Sequence, residues 1–124
     1  MMANEITTNL RVQLANGSLL SDFNPGRIQI NQTGQGKFES VRLIATSETS
    51  VALTGITTPC VAIFYNLDAT NYVEYDTVTA PTEYLGKLFP SGIPNILTLN
   101  TTRTTIYFKA NTAACNVQIV VLEL

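Results

Sequence analysis

The side chains able to do chemistry in this chain of 124 residues are few, and what is missing limits them further. There is no histidine, which removes the Ser-His-Asp triad, the Cys-His dyad and any imidazole-bearing zinc site. Two cysteines, Cys60 and Cys115, cannot form a four-thiolate site. A bond between them would close a long loop, worth up to about 4 kcal/mol in the chain-entropy model. The opening Met-Met-Ala-Asn-Glu-Ile-Thr-Thr does not read as a secretory leader, so the expectation is two buried free thiols on core strands. Asp68, Glu74 and Asp76 are close in sequence, but Ala69 to Val73 breaks the alternation of oxygen ligands that a calcium loop needs. They read as solvated loop charges. Gly34-Gln35-Gly36 lacks the third glycine and following helix of a dinucleotide fingerprint and reads as a turn. No nucleophile–base pair and no carboxylate dyad stands out. The expectation is a non-enzyme with no cofactor and no metal.

Binding chemistry is limited in the same way. Seven basic residues against nine acidic give a formal net charge of -2, and the basic ones are scattered. Nucleic-acid binding needs a clustered cationic footprint, so none is expected. No run of about 18 apolar residues is present to span a membrane as a helix. Sequons at Asn16, Asn31 and Asn100 are close to the roughly two that chance supplies and, without a leader, are not expected to carry glycans. Tyr65, Tyr72, Tyr75 and Tyr84 raise the possibility of a sugar-stacking platform, yet tryptophan, the strongest stacker, is absent. Aromatics here are better read as core or interface anchors.

The elements that position these groups are strands. Charged residues are 13% of the chain against a usual share of about 25%, and 18 Thr with 11 Asn take up the polar surface. Threonine favours strands and asparagine favours turns. Period-two alternation puts Ile6, Thr8, Leu10, Val12 and Leu14 on one strand face, and Asn16-Gly17 marks the turn that follows. Asn24-Pro25-Gly26 is a second turn, with Ile28 and Ile30 alternating after it. Phe38 to Ala45 and Val51 with Leu53 read as further strands.

Cys60 to Tyr65 is continuously apolar, as in a central strand buried on both faces. Asn66 to Asn71 reads as a loop whose Asn and Asp side chains close on their own backbone. A short strand follows at Tyr72 to Tyr75, then an exposed loop from Asp76 to Glu83. Tyr84 to Phe89, Ile96 to Leu99, Ile106 to Ala110 and Val117 to Leu124 complete nine or ten short strands, with turns such as Pro90-Ser91-Gly92 between them. No window favours a helix. The predicted fold is an all-β, antiparallel, jelly-roll-like β-sandwich forming one domain over residues 1–124.

From Gly55 onward the wording resembles a known group. Gly55-Ile-Thr-Thr-Pro59, Val61-Ala-Ile-Phe-Tyr-Asn66 and Leu67-Asp-Ala-Thr-Asn-Tyr-Val-Glu74 are similar to phrases in small virion proteins of tailed bacteriophages. So are Leu88-Phe-Pro-Ser-Gly92 and Tyr107-Phe-Lys-Ala-Asn-Thr-Ala-Ala114. These motifs cover roughly the C-terminal half and are built from turns and strand ends. The resemblance implies a non-enzymatic part of the particle, made in the host cytoplasm and located in the virion. The first expectation is a capsid decoration, or cement, protein that binds the major capsid protein of the head shell non-covalently, as a homo-oligomer, provisionally a trimer. A tail or head–tail connector component is the second reading, and a carbohydrate-binding attachment module the third. Tyr72, Tyr75, Tyr84 and Phe89, standing between turn residues, are the candidate interface anchors.

Overall fold

The computed structural model describes residues 5–32, 36–99 and 103–123, without the side chains of residues 59 and 60. Twelve strands and no helix occur among the described residues, so the all-β expectation holds with more strands than the nine or ten foreseen. The turn expected at Gly34-Gln35 and the Thr-rich bend after Leu99 lie outside the described residues. The chain divides into two compact units, Met1–Thr33 and Gly34–Leu124. The sandwich expected over 1–124 is built from strands of the second unit alone.

In the first unit, β1 (Ile6–Asn9) pairs antiparallel with β4 (Arg27–Ile30), and β2 (Val12–Asn16) pairs with β3 (Leu19–Phe23). The single alternating strand expected from Ile6 to Leu14 is thus two strands, interrupted at Leu10-Arg11. Asn16 pairs with Leu19, so the hairpin loop is Gly17-Ser18, one residue beyond the expected Asn-Gly centre. Only Gly17 has positive φ (59°), the pattern of a type II′ turn with glycine first.

The second unit contains β5 (Lys37–Ile44), β6 (Thr49–Ala52), β7 (Pro59–Asn66), β8 (Val73–Asp76), β9 (Gly86–Leu88), β10 (Asn95–Thr98), β11 (Thr105–Ala110) and β12 (Cys115–Glu123). β5 pairs with β12, β6 with β11, β7 with β10 and β8 with β9. Each strand of the first half therefore meets its mirror in the second, as in one long hairpin. Successive pairs alternate between two sheets, ordered β10-β7-β12-β5 and β6-β11-β8-β9. A hairpin rolled up in this way is a jelly roll.

The core lies between the sheets, and period two decides who enters it. Val117, Ile119 and Val121 of β12, Ala62 and Phe64 of β7, Val73 and Tyr75 of β8, and Ile106, Phe108 and Ala110 of β11 are all buried. Phe64 meets Tyr75 and Phe108 edge-to-face, with centroids 5.0 and 5.2 Å apart. The outward-facing Ile63 and Tyr65 are only half-buried, so β7 is central in its sheet but buried on one face, not both. Ile63 stands opposite Val120 and Ile96 in the two neighbouring ladders, and on the same outward side Val61, nearer the start of β7, is buried.

Gly86 stands directly opposite Tyr75 in the β8–β9 ladder, and a methyl there would overlap the Tyr75 ring. Its φ is not positive, so space rather than conformation demands glycine. Phe64→Ala, which empties the centre of the ring cluster, should cost about 3–5 kcal/mol in urea unfolding. Gly86→Ala should cost about 1–3 kcal/mol by overpacking. An unchanged midpoint for either would mean that the rings do not meet as described.

Candidate functional site

The four expected anchors have different fates. Tyr75 has odd parity on β8, which turns it inward; at 6% exposure it is a core residue and not an accessible anchor. Tyr84 is half-buried, and its hydroxyl donates to Glu48 Oε1 at 2.9 Å. Tyr72 and Phe89 do come together. The Lys87 ammonium lies 4.1 Å from the Tyr72 ring centroid and 5.9 Å from that of Phe89. Leu85, Lys87 and Phe89 alternate along β9 and its ends, all three exposed, on the short edge strand of the sheet. Sequence reasoning missed Lys87 and Leu85, although the period-two pattern within Tyr84 to Phe89 already put them beside Phe89.

Local geometry presents Phe89 outward. Gly92 N donates to Phe89 O at 3.2 Å, closing a four-residue turn with Pro90 second and Ser91 third. Ser91 has φ 48°, a conformation that a type II turn usually gives to glycine. It is held there by its own N–H, which donates to Asp68 O at 3.0 Å. Phe89 is left 63% exposed, and Ile93, at the far side of the turn, 75%.

Asp68 belongs to the loop between β7 and β8, which closes on its own backbone as expected. Asp68 N donates to Asn66 Oδ1 and Thr70 N to Asp68 Oδ1. The buried Asn66 amide donates in turn to Asn71 O and Leu88 O, tying this loop to the end of β9. The Thr70 N–H, then the Asn71 amide, hold the Asp68 carboxyl below its usual range. Cys115 packs against this carboxylate, with Sγ 3.5 Å from Oδ2. Burial first, then the hydrogen bond to Asp68, pushes its thiol up to about 11.

Cys115 is free and buried. The side chain of Cys60 lies outside the described residues, but its backbone decides the question of a disulfide. Its neighbours pair with Leu122 and Glu123, which puts it about 23 Å along β12 from Cys115 at about 3.3 Å per residue. A disulfide needs α-carbons within about 7 Å.

The acidic residues considered for calcium are each engaged separately. Asp76 is buried at the far end of β8 and accepts from Thr77 N, Val78 N and Leu85 N. Glu74 stands between Lys109 and Lys87 in the ladders. The loop read as an exposed segment from Asp76 to Glu83 is thus pinned at its base. It is pinned again at Glu48, which accepts from the Thr79 hydroxyl, Ala80 N and the Tyr84 hydroxyl. The four tyrosines weighed as a platform do not form one. Tyr65 lies outward on the β7 sheet, Tyr72 beside β9, Tyr75 in the core and Tyr84 on the pinned loop.

No family model, no curated protein and no solved structure matches this chain.

Hydrogen bonds from Thr79 and Ala80 lower the Glu48 pKa, while burial, then Glu48 itself, raises Tyr84 to about 12. Glu48 therefore contributes stability above its unfolded pKa that is lost as pH falls through its folded value. Tyr84 favours the folded state up to its ordinary value of 10.0, and that contribution is lost between there and about 12. In a 295-nm titration, Glu48→Gln should move one tyrosine of the five downward from about 12 without reaching 10, because burial remains. Cys115 should resist thiol reagents near neutral pH until the protein unfolds. Labelling of the native protein at Cys115 would contradict the buried, protonated thiol.

Proposed function

We propose that this chain is a non-enzymatic structural subunit of a tailed-bacteriophage virion: a decoration protein that binds the major capsid protein of the assembled head as a homo-oligomer. The observation that carries the reading is Phe89, an aromatic ring held largely exposed by a strained, hydrogen-bonded turn and joined by Tyr72 over Lys87. An aromatic side chain left exposed on a hydrogen-bonded turn suits binding better than folding, and aromatic rings dominate interface energetics. Tyr72 and Phe89, though not Lys87, fall within the phage-like motifs. Jelly rolls recur in viral capsid and lectin domains, which supports the reading by analogy only. The scattered tyrosines favour it over the sugar-binding alternative.

A subunit that binds the shell but not its free parts stabilises the shell by mass action. Lys87 is the one cation in the cluster, so binding should depend weakly on salt. Particles stripped of the protein should release DNA at lower temperature. Adding it back should restore the difference even in roughly half-molar salt, where the Debye length is only a few ångströms. Phe89→Ala should fold within about 0.5 kcal/mol of the parent and bind at least about tenfold more weakly. Head stability that ignores the protein, with adsorption to host cells lost instead, would overturn the head assignment in favour of the tail.

A further inference from the structure

Residues 77–85 leave β8 and reach Glu48, just before β6, although β11 stands between β6 and β8 in the sheet. The inward side is filled by the core, so this segment crosses the outward side as a strap. None of its residues is buried, and Val78 and Leu85 are 41 and 63% exposed. Outside the strand ladders, no backbone–backbone hydrogen bond among the described residues involves any of them. Six other hydrogen bonds hold the strap, and all six end on two carboxylates. Asp76 closes the neck, accepting from Thr77 N, Val78 N and Leu85 N at 2.6, 3.1 and 3.0 Å. Glu48 fastens the tip, accepting from the Thr79 hydroxyl, Ala80 N and the Tyr84 hydroxyl at 2.6, 2.8 and 2.9 Å.

The tip is held against its own preference. Ala80 has φ 45°, a left-handed conformation that its β-carbon disfavours, and its N–H is the one aimed at Glu48. Packing does not secure it either. An open cleft of about 440 Å³ lies between Pro81 and Tyr84 of the strap and Thr46 and Ser47 of the β5–β6 turn. Segments with few buried apolar contacts open locally, at a fraction of the free energy that unfolds the whole. Thr77 and Val78 follow Asp76 directly, so the neck closes on itself and can serve as the hinge. Glu48 is then the latch.

We propose that residues 77–85 form an acid-released strap, closed while Glu48 is ionised and swung out as a unit when Glu48 takes up a proton, with the sandwich intact. Protonation removes the charge that strengthens the three bonds to the latch, and their donors then turn to water. The groups facing Glu48 are the Lys109 ammonium on β11 and the Tyr84 hydroxyl on the strap, while Thr46 and Ser47 bring no charge. Glu74 and Asp76 on β8 act by charge on Tyr84. The Thr79 and Ala80 bonds, then Tyr84 and Lys109, hold the Glu48 carboxyl below its ordinary value of 4.5. The closed strap is therefore favoured above that value and lost as pH falls through the lowered one. The strap runs straight into β9, so its state sets how firmly the Leu85 end of the exposed Leu85–Lys87–Phe89 row is held. The inference does not depend on what that row binds.

Amide hydrogen exchange and nitrogen-15 relaxation of the full chain, from about pH 7 to about pH 3, test this. Corrected for intrinsic rates, protection of the Ala80 amide should fall at least about tenfold, with a midpoint below pH 4.5, while Phe108 and Ile119 keep theirs. Backbone order parameters from Thr79 to Glu83 should drop from about 0.85 to below about 0.6 over the same range. Glu48→Gln keeps an oxygen acceptor but cannot titrate, so it should abolish the pH response at Ala80. Glu48→Ala should show the open strap already at neutral pH with core amides unchanged. That variant reads the latch without acid if the parent precipitates near its isoelectric point of about 4.9. A strap that stays ordered in Glu48→Ala, or a Glu48→Gln protein that keeps the parent's pH response, would overturn the proposal. So would strap and core amides that lose protection together.

Discussion

The contact of Phe64 with Tyr75 and Phe108 is the interaction on which most of the second unit depends. It joins the sheets, since Phe64 comes from β7 and the other two rings from β8 and β11. Tyr75 has both a ring to pack and a hydroxyl to satisfy, and each need fixes another element. The ring lies over Gly86, which is why β9 carries a glycine there. The hydroxyl accepts from the Asn95 amide at 2.9 Å, which brings in the first residue of β10 from the opposite sheet. One aromatic residue therefore sets requirements on four strands besides its own: β7 and β11 through rings, β9 through empty space and β10 through a donor.

With the sheets so joined, the loops are secured by uncharged or singly charged polar groups rather than by ion pairs. Asn66, Asp76 and Glu123 are the buried polar residues among those described. Asn66 and Asp76 bond backbone groups of their neighbouring loops, and Glu123 accepts from Thr57 N and its hydroxyl at the opposite end of the chain's last strand. No buried side-chain nitrogen or oxygen among the described residues lacks a partner. This matters because a buried polar group left unmade costs about 1–3 kcal/mol, whereas an exposed ion pair contributes about 1 kcal/mol or less. The two ion pairs described, Arg11–Asp22 and Lys37–Glu39, are both of the exposed kind. A chain so poor in charge gains its loop order from asparagine, aspartate and threonine instead.

The strands were legible because alternation is a local property. Ile106 and Phe108 against Lys109, or Val117, Ile119 and Val121 against Gln118, show their inward set without any knowledge of partners. The Asn66–Asn71 loop was legible for the same reason, since its internal bonds close within two to five residues, the Asn66 bond to Leu88 O being the long-range one. What failed to show was whatever depends on distant chain. Tyr75 and Phe89 look alike between turn residues, yet the parity of β8 buries one while the turn after β9 exposes the other. Tyr84 could not be placed without Glu48, 36 residues away. The break between β1 and β2 was hidden because Leu10 continues the alternation of Ile6 and Thr8, and only the partner strands β4 and β3 reveal two ladders.

The sheet edges narrow the ways in which this fold can associate. An open edge presents unpaired N–H and C=O groups and invites another strand to add. Of the four edges in the sandwich, β9 is three residues long, and β6 and β10 are four each. Pro94 directly precedes β10, and such a residue has no N–H to offer an incoming strand. β5 is long at eight residues, but it carries Lys37, Glu39 and Arg42, whose charges an added strand would have to desolvate. Backbone pairing at these edges is therefore disfavoured, whereas apolar side chains stand exposed beside β9 and on the β2–β3 face. Association by the sandwich should run through side chains packed on a partner's surface, not through strands added to its two sheets.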